Sequence, residues 1–222
     1  MRRITEPELM DDAVQAMAYA AADFSEPHGR IVEAFAGCFP DAELTGPVLD
    51  LGCGPGDISF RVAARFPGCT VLGVDGAAAM LRLAERRRSQ EPVTGARVHF
   101  IEGLLPGAPI PQLNFAAIIS NSLLHHLHDP AVLWQTIARY AHAGTRVYVT
   151  DLYRPQTLDA ARRLVDIHAA GEPAILQRDF FNSLCAAFEP HEVRAQLHAA
   201  GLGELAVDLL GDRHLVVHGI LR

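Results

Sequence analysis

The sequence predicts an α/β protein built on a parallel sheet with helices on both faces. Short, continuous apolar runs alternate with helical patterns from residue 48 to residue 150, and unbroken apolar runs mark strands buried on both faces. Those runs end at or beside polar residues (Asp50, Asp75, Glu102, Asn121, Asp151), and open sheets bind ligands beyond the C-terminal ends of their strands. Between the first run and its helix, glycine stands at every second position: Gly52, Gly54 and Gly56.

Taken in order, residues 8–23 read as a helix with Leu9, Ala13, Ala16, Met17 and Ala20 on one stripe. Pro27-His28-Gly29 is expected to break it before a second short helix, Ile31 to Phe39. These helices cover the sheet or form a lid that brings Tyr19, Phe24 or His28 to a ligand. Strands are expected at Val48–Leu51, Thr70–Val74, Arg97–Ile101, Phe115–Ser120 and Thr145–Thr150, and helices at Asp57–Phe66, Ala77–Arg88 and Ala131–His142. Pro106, Pro109 and Pro111 rule out a long helix in the loop between the third and fourth strands. After Asp151 come helices at Ala160–Ala169, Pro173–Ala187 and Glu189–Ala200, then strands Leu205–Leu210 and Leu215–Leu221 around Gly211-Asp212-Arg213-His214, which suits an antiparallel hairpin. The expected layout is one domain over 1–222: a helical cap (1–44), a ligand-binding core (45–151), a helical insertion (152–190) and a closing helix and hairpin (191–222).

A chain of 222 residues, half of them hydrophobic and 20% charged, is large enough for one well-cored domain and too apolar for disorder. The net charge of -7 argues against tight nonspecific nucleic-acid binding. Its main basic cluster, Arg82, Arg86, Arg87 and Arg88, lies on a helix beside Glu85, leaving at most a local tRNA-reading patch. Four scattered cysteines without a CxxC suggest a reduced chain without structural zinc. With no apolar region behind Arg2-Arg3 and no run of about 18 apolar residues, a cytoplasmic location is expected, with no membrane span.

The glycine loop discriminates among ligands. A dinucleotide fingerprint wants glycine where this chain has Asp57. An acid in the first helical turn would repel a pyrophosphate and suits an ammonium group, a demand Asp50 repeats. Asp75 ends the next strand at about the spacing where a carboxylate meets ribose hydroxyls. A ligand with a ribose, a cationic amino-acid arm and no phosphate fits S-adenosylmethionine.

Val48-Leu49-Asp50-Leu51-Gly52-Cys53-Gly54-Pro55-Gly56 resembles the first motif of the class I S-adenosylmethionine-dependent methyltransferases of the domain 11/25 kind, and the likeness covers most of 45–151. Val74-Asp75-Gly76 with Met80-Leu81 is similar to the second motif, implying a ribose acid and an apolar pair beside adenine. Glu102-Gly103 stands where that family usually has an aspartate. Ile118 to Leu127, with Asn121, resembles the fourth motif, which lines the transfer site. The resemblance implies a Rossmann-like, seven-stranded sheet in the order 3-2-1-4-5-7-6 with the last strand reversed. It also implies S-adenosylmethionine as cofactor and Asp50, Gly52, Cys53, Gly54, Gly56, Asp57, Asp75, Gly76, Met80, Glu102, Gly103 and Asn121 as its binding residues. Dimers are common among such enzymes, which leaves a homodimer open.

His125, His126, His128 and Asp129 form a histidine-rich tract without zinc-like spacing, so no metal is expected. Either His125 or His126 caps a turn, or one faces the acceptor as base or orienter. Tyr19, Arg154 and His214 are the remaining candidates at the transfer site: Arg154 for an acidic substrate or for capping Asp151 or Asp159, and His214 or Arg213 from the hairpin tip. The expected reaction is methyl transfer to a small molecule, with alignment and desolvation the main demands. The alternatives are an enzyme resembling carboxy-S-adenosylmethionine synthase, a tRNA methyltransferase, and a non-catalytic binding module.

Overall fold

In the computed structural model the alternating runs assemble into one seven-stranded sheet, and the structure describes residues 1–9, 11, 15–17, 19, 22, 24–40 and 43–222. Strands β1 (Gly46–Leu51), β2 (Cys69–Asp75), β3 (Val98–Glu102), β4 (Ala117–Asn121), β5 (Arg146–Leu152), β6 (Ala206–Leu210) and β7 (His214–Ile220) stand in the order β3-β2-β1-β4-β5-β7-β6. β1 to β5 pair in parallel, while β7 runs antiparallel to both β5 and β6. The expected fold and strand order are both found. Because β6 therefore runs parallel to β5, the turn before His214 sits at the same edge as the ends of β1, β2, β4 and β5.

The helices are α1 (Ser25–Cys38), α2 (Asp57–Arg65), α3 (Ala78–Gln90), α4 (Pro92–Gly95), α5 (Ala131–Tyr140), α6 (Leu158–His168), α7 (Ala174–Ala186) and α8 (Pro190–Ala199). The break expected at Pro27-His28-Gly29 is absent: α1 runs through it. Pro27 falls in the first turn, where its missing N–H has no helical partner to lose. The short α4 was not expected. The helix expected over 8–23 falls largely on residues outside the described set.

β1 shows why the sheet is central. Val48 packs toward α1 and α2 with Phe35, Phe60, Val71 and Ile119. Leu49 and Leu51 point the other way, to a core with Ile118, Trp134, Ile137, Leu197 and Val217 under α5 and α8. All three are fully buried, so one strand serves two cores and needs no alternation. The insertion has its own cluster (Leu152, Ala161, Val165, Leu184, Cys185), against which Met1 of the N-terminal segment packs. Among the described residues, no helix is long and apolar enough to cross a membrane.

Candidate active site

The loop after β1 is shaped by its glycines. Gly54 takes φ +53° and a Cβ there would meet nothing within 4 Å, so bare backbone faces open space. Gly56, at φ +83°, is the N-cap of α2, and a side chain there would strike Phe100 at 2.8 Å. Val74 and Asp75 receive the rest of the loop: the Gly52 and Cys53 amides donate to the Val74 carbonyl at 2.8 and 3.1 Å, and the Gly54 amide donates to Asp75 Oδ2 at 2.7 Å. Asp75 Oδ1 accepts from the Ala77 amide at 2.8 Å. Each carboxylate oxygen thus keeps a lone pair for a further donor.

One cavity of about 1270 Å³ runs along the C-terminal edge of the sheet. It is lined by Asp50, Gly52, Cys53, Gly54, Asp57, Asp75, Gly76, Met80 and Gly103, with Tyr19 near Asp57 and Asp75, and also by Asn121, His125, His126 and His214. These fourteen residues named from sequence therefore share one space, although they come from every quarter of the chain. Asn121 is held by a bond from Thr150 Oγ1 at 2.8 Å. Tyr19 stacks at an angle on Phe24, which stacks on His28. Burial, with the charges of Asp57 and Asp75, pushes the Tyr19 phenol up to about 12 and keeps it protonated.

Five expectations are corrected here. Arg154 does not reach the cavity. It is buried, donating to the Met1 and Ala187 carbonyls and to Glu189 and Glu192, and those glutamates form the capping box of α8. Its guanidinium is spent on joining the insertion to α8. Glu102 is exposed and does not line the cavity, whereas its neighbour Gly103 does. Gly56 is likewise absent from the lining; it acts as the cap of α2. Asp57 lines the cavity, but its charge is not offered to a ligand cation. His28 Nδ1, Arg61 Nε and Arg87 Nη1 approach it at 2.6, 2.7 and 2.6 Å. Burial alone would raise this carboxyl, yet hydrogen bonds from His28, Arg61 and Arg87 outweigh it and hold Asp57 well below the usual range. Asp50 makes little of the ammonium demand either: burial pushes it up to about 7 and its Oδ2 accepts from Ser59 at 2.5 Å.

Across the cavity, His125 Nδ1 lies 2.5 Å from Asp151 Oδ1, and the His125 amide donates to Asp151 Oδ2 at 3.3 Å. Burial pulls the His125 imidazole down, but the Asp151 charge and hydrogen bond, with Glu6, outweigh it and hold His125 above its ordinary value. His126 goes the other way, to about 3, through burial and the neighbouring His125 charge, although Glu6 Oε1 is 3.3 Å from its Nδ1. Two nitrogens and one oxygen of Glu6, His125 and His126 fall within 4.8 Å of one another. At the hairpin tip, Arg213 Nη1 and Asp212 both engage His168. Glu6, Glu8 and His168 were not picked out in the sequence. Glu6 sits in an aperiodic stretch with no motif around it, and its relation to His125 spans more than half of the chain.

The methyltransferase domain family (Methyltransf_25) matches residues 48–144. An uncharacterized methyltransferase of Mycobacterium tuberculosis is 27% identical over 173 residues, 76% of this chain and 84% of that protein. Residues 48–144 thus form a methyltransferase domain. The chain is also similar to the trans-aconitate 2-methyltransferase of Methylobacterium nodulans, 33% identical over 59% of this chain and 46% of that protein. Among solved structures, a SAM-dependent methyltransferase from Aquifex aeolicus shares the fold at TM-score 0.66 and 16% identity, covering 95% of this chain and 99% of that one. The plantazolicin methyltransferase BpumL, in complex with SAH, does so at TM-score 0.71 and 11% identity, covering 95% and 91%.

Proposed function

We propose that the methyltransferase moves the methyl group of S-adenosylmethionine to a small-molecule acceptor held at the His125–His214 end of the cavity. The observation that carries this reading is the single cavity that joins the glycine loop and Asp75 to the histidines. At about 1270 Å³ it exceeds what one ligand of ordinary size fills, so cofactor and acceptor fit side by side. The chain's residues also suit the cofactor: Gly54 offers an open backbone cradle, Asp75 keeps free lone pairs for ribose hydroxyls, and Met80 is a buried apolar contact for a base. Relatives named for trans-aconitate and for ubiquinone biosynthesis support a small acceptor.

When bound, the cofactor supplies a methyl group on a sulfonium, already activated for in-line displacement. What remains for the protein is alignment and exclusion of water. Gly52, Cys53 and Gly54 set the loop against β2, Asp75 orients the ribose, and Asn121 and Tyr19 line the same cavity. The insertion helices α6 and α7 wall the acceptor end through His168, Leu176 and Phe180. Isothermal titration with S-adenosylmethionine and S-adenosylhomocysteine tests this directly. Micromolar binding of both is expected, and a folded sample that binds neither overturns the reading.

A further inference from the structure

We propose that Glu6 is a positioning residue of the acceptor site: it stands against the outer nitrogen of His125, closes an Asp151–His125–Glu6 triad, and leaves His214, rather than His125, as an imidazole open to an acceptor's proton. The inference rests on the methyltransferase reading for its His214 clause and on geometry alone for the triad.

His125 has a carboxylate at each ring nitrogen, Asp151 Oδ1 at 2.5 Å from Nδ1 and Glu6 Oε1 at 3.4 Å from Nε2. The side chains are 4%, 1% and 10% exposed for His125, Asp151 and Glu6, so little water competes. An imidazole flanked in this way, hydrogen-bonded to Asp151 through Nδ1 and in ion-pair contact with Glu6 through Nε2, is favoured as a cation, and such a ring has no lone pair to take a proton. The other charged and polar groups around the triad do not undo this. From the N-terminal segment, Arg3 Nη2 donates to the His125 and Leu127 carbonyls at 2.9 Å. From α7, Ser183 Oγ donates to Glu6 Oε1 at 3.1 Å, and Asp179 adds negative charge nearby. His126, next in the chain, is held neutral.

Glu6 is carried to this place by a well-tied strap. The Met1 ammonium donates to the Gln156 carbonyl at 2.8 Å, the Ile4 amide to Cys185 at 3.0 Å, and Arg3 Nε to Ala186 at 2.5 Å, with its guanidinium 3.9 Å over the Phe188 ring. On the far side, Glu8 accepts from the His128 amide at 2.7 Å. The strap thus bridges α7 and the loop after β4, with Glu6 between its anchors.

His214 differs in each respect. It opens β7, lines the cavity, and its imidazole makes no hydrogen bond among the described residues. Burial and the adjacent Arg213 push it down to about 4, against the weaker opposing charges of Asp151 and Asp212 and alongside that of His168, so it is neutral with a free lone pair near pH 7. An X–H acceptor forms its X–C bond to the methyl carbon as the C–S electron pair returns to sulfur. The X–H proton then leaves to His214, and nothing is oxidised or reduced.

The test follows imidazole resonances by NMR from roughly pH 5 to 9 in the wild type, Glu6→Gln and Glu6→Asp. We expect His125 to titrate above its ordinary value in the wild type, about one unit lower in Glu6→Gln, and near the wild-type position in Glu6→Asp. His214 stays neutral throughout. Diethylpyrocarbonate, which attacks neutral imidazole, should label His214 at least about tenfold faster than His125 at pH 7, with the gap narrowing in Glu6→Gln. A His125 titration that is the same in wild type and Glu6→Gln overturns the triad. Equal labelling of the two histidines in the wild type overturns the assignment of His214. Binding of S-adenosylhomocysteine, measured on the same samples, is expected within about twofold of wild type in both variants because Glu6 does not line the cavity. Failure of the wild type to bind it sinks the methyltransferase reading while the titration still decides the triad.

Discussion

The amide of Gly54 donates to Asp75 Oδ2 at 2.7 Å, so the loop after β1 and the acid that ends β2 move as one unit. Asp75→Ala removes a loop anchor and the proposed ribose contact together. Affinity for S-adenosylhomocysteine should fall by about 10- to 100-fold, the scale of one or two hydrogen bonds to a charged group. Titration calorimetry reads this, and an unchanged affinity would take Asp75 out of the cofactor site.

Asp57 joins α1, α2 and α3 through His28, Arg61 and Arg87. Asp57→Asn should therefore cost about 2 kcal/mol of stability, because two guanidinium groups and His28 Nδ1 lose a charged partner at a partly buried site. The effect on cofactor affinity should stay below about threefold. Urea unfolding and calorimetry on one preparation separate the two quantities. A large affinity loss with intact stability would return Asp57 to the role of a cation receptor.

Arg154 is a structural cation at 6% exposure. Arg154→Ala leaves Glu189 and Glu192 without their partner and frees the Met1 and Ala187 carbonyls, so a loss of about 3–5 kcal/mol is expected. Arg154→Lys should lose less, keeping the charge without the fork. Neither should alter binding of S-adenosylhomocysteine below the melting temperature, and a selective loss of binding in Arg154→Lys would count against the assignment.

Acid should act on stability through His126 and His214. Their folded values, about 3 and about 4, lie below the ordinary 6.5, so the unfolded chain takes up protons that the folded one refuses. Stability is lost as pH falls from about 6.5 toward those values. Asp50, pushed up to about 7, works with the opposite sign in the same window, and His125, raised, loses its contribution as pH rises above 6.5. The wild-type curve is consequently shallow. His214→Asn should lose less stability than wild type between pH 7 and pH 5, by about 1–2 kcal/mol, in urea melts at the two pH values. Parallel curves for the two proteins would mean that His214 titrates normally in the fold.

The strands and most element ends were legible in the chain because they follow from local causes, whereas the strand order came with the family resemblance. β1 needs both its faces buried, and Val48-Leu49-Asp50-Leu51 says so without any partner in view. Gly54 with φ +53° and Asp75 some twenty residues on repeat a spacing that backbone geometry dictates. Pro27 is the exception that proves local rules need position: the same residue ends one helix or begins another according to which turn it occupies.

What the charged side chains do was decided only in three dimensions. Asp57 looked like a receptor for a ligand cation until His28 and Arg87, each about thirty residues distant, arrived to neutralise it. Arg154 looked free until two glutamates of α8 enclosed it. His125 looked like a base, yet Glu6, carried in by the N-terminal strap, meets its outer nitrogen. A hydrophobic period is written into neighbouring residues, whereas an ion pair depends on Coulomb distance and burial, and those exist only once the fold has brought remote residues together.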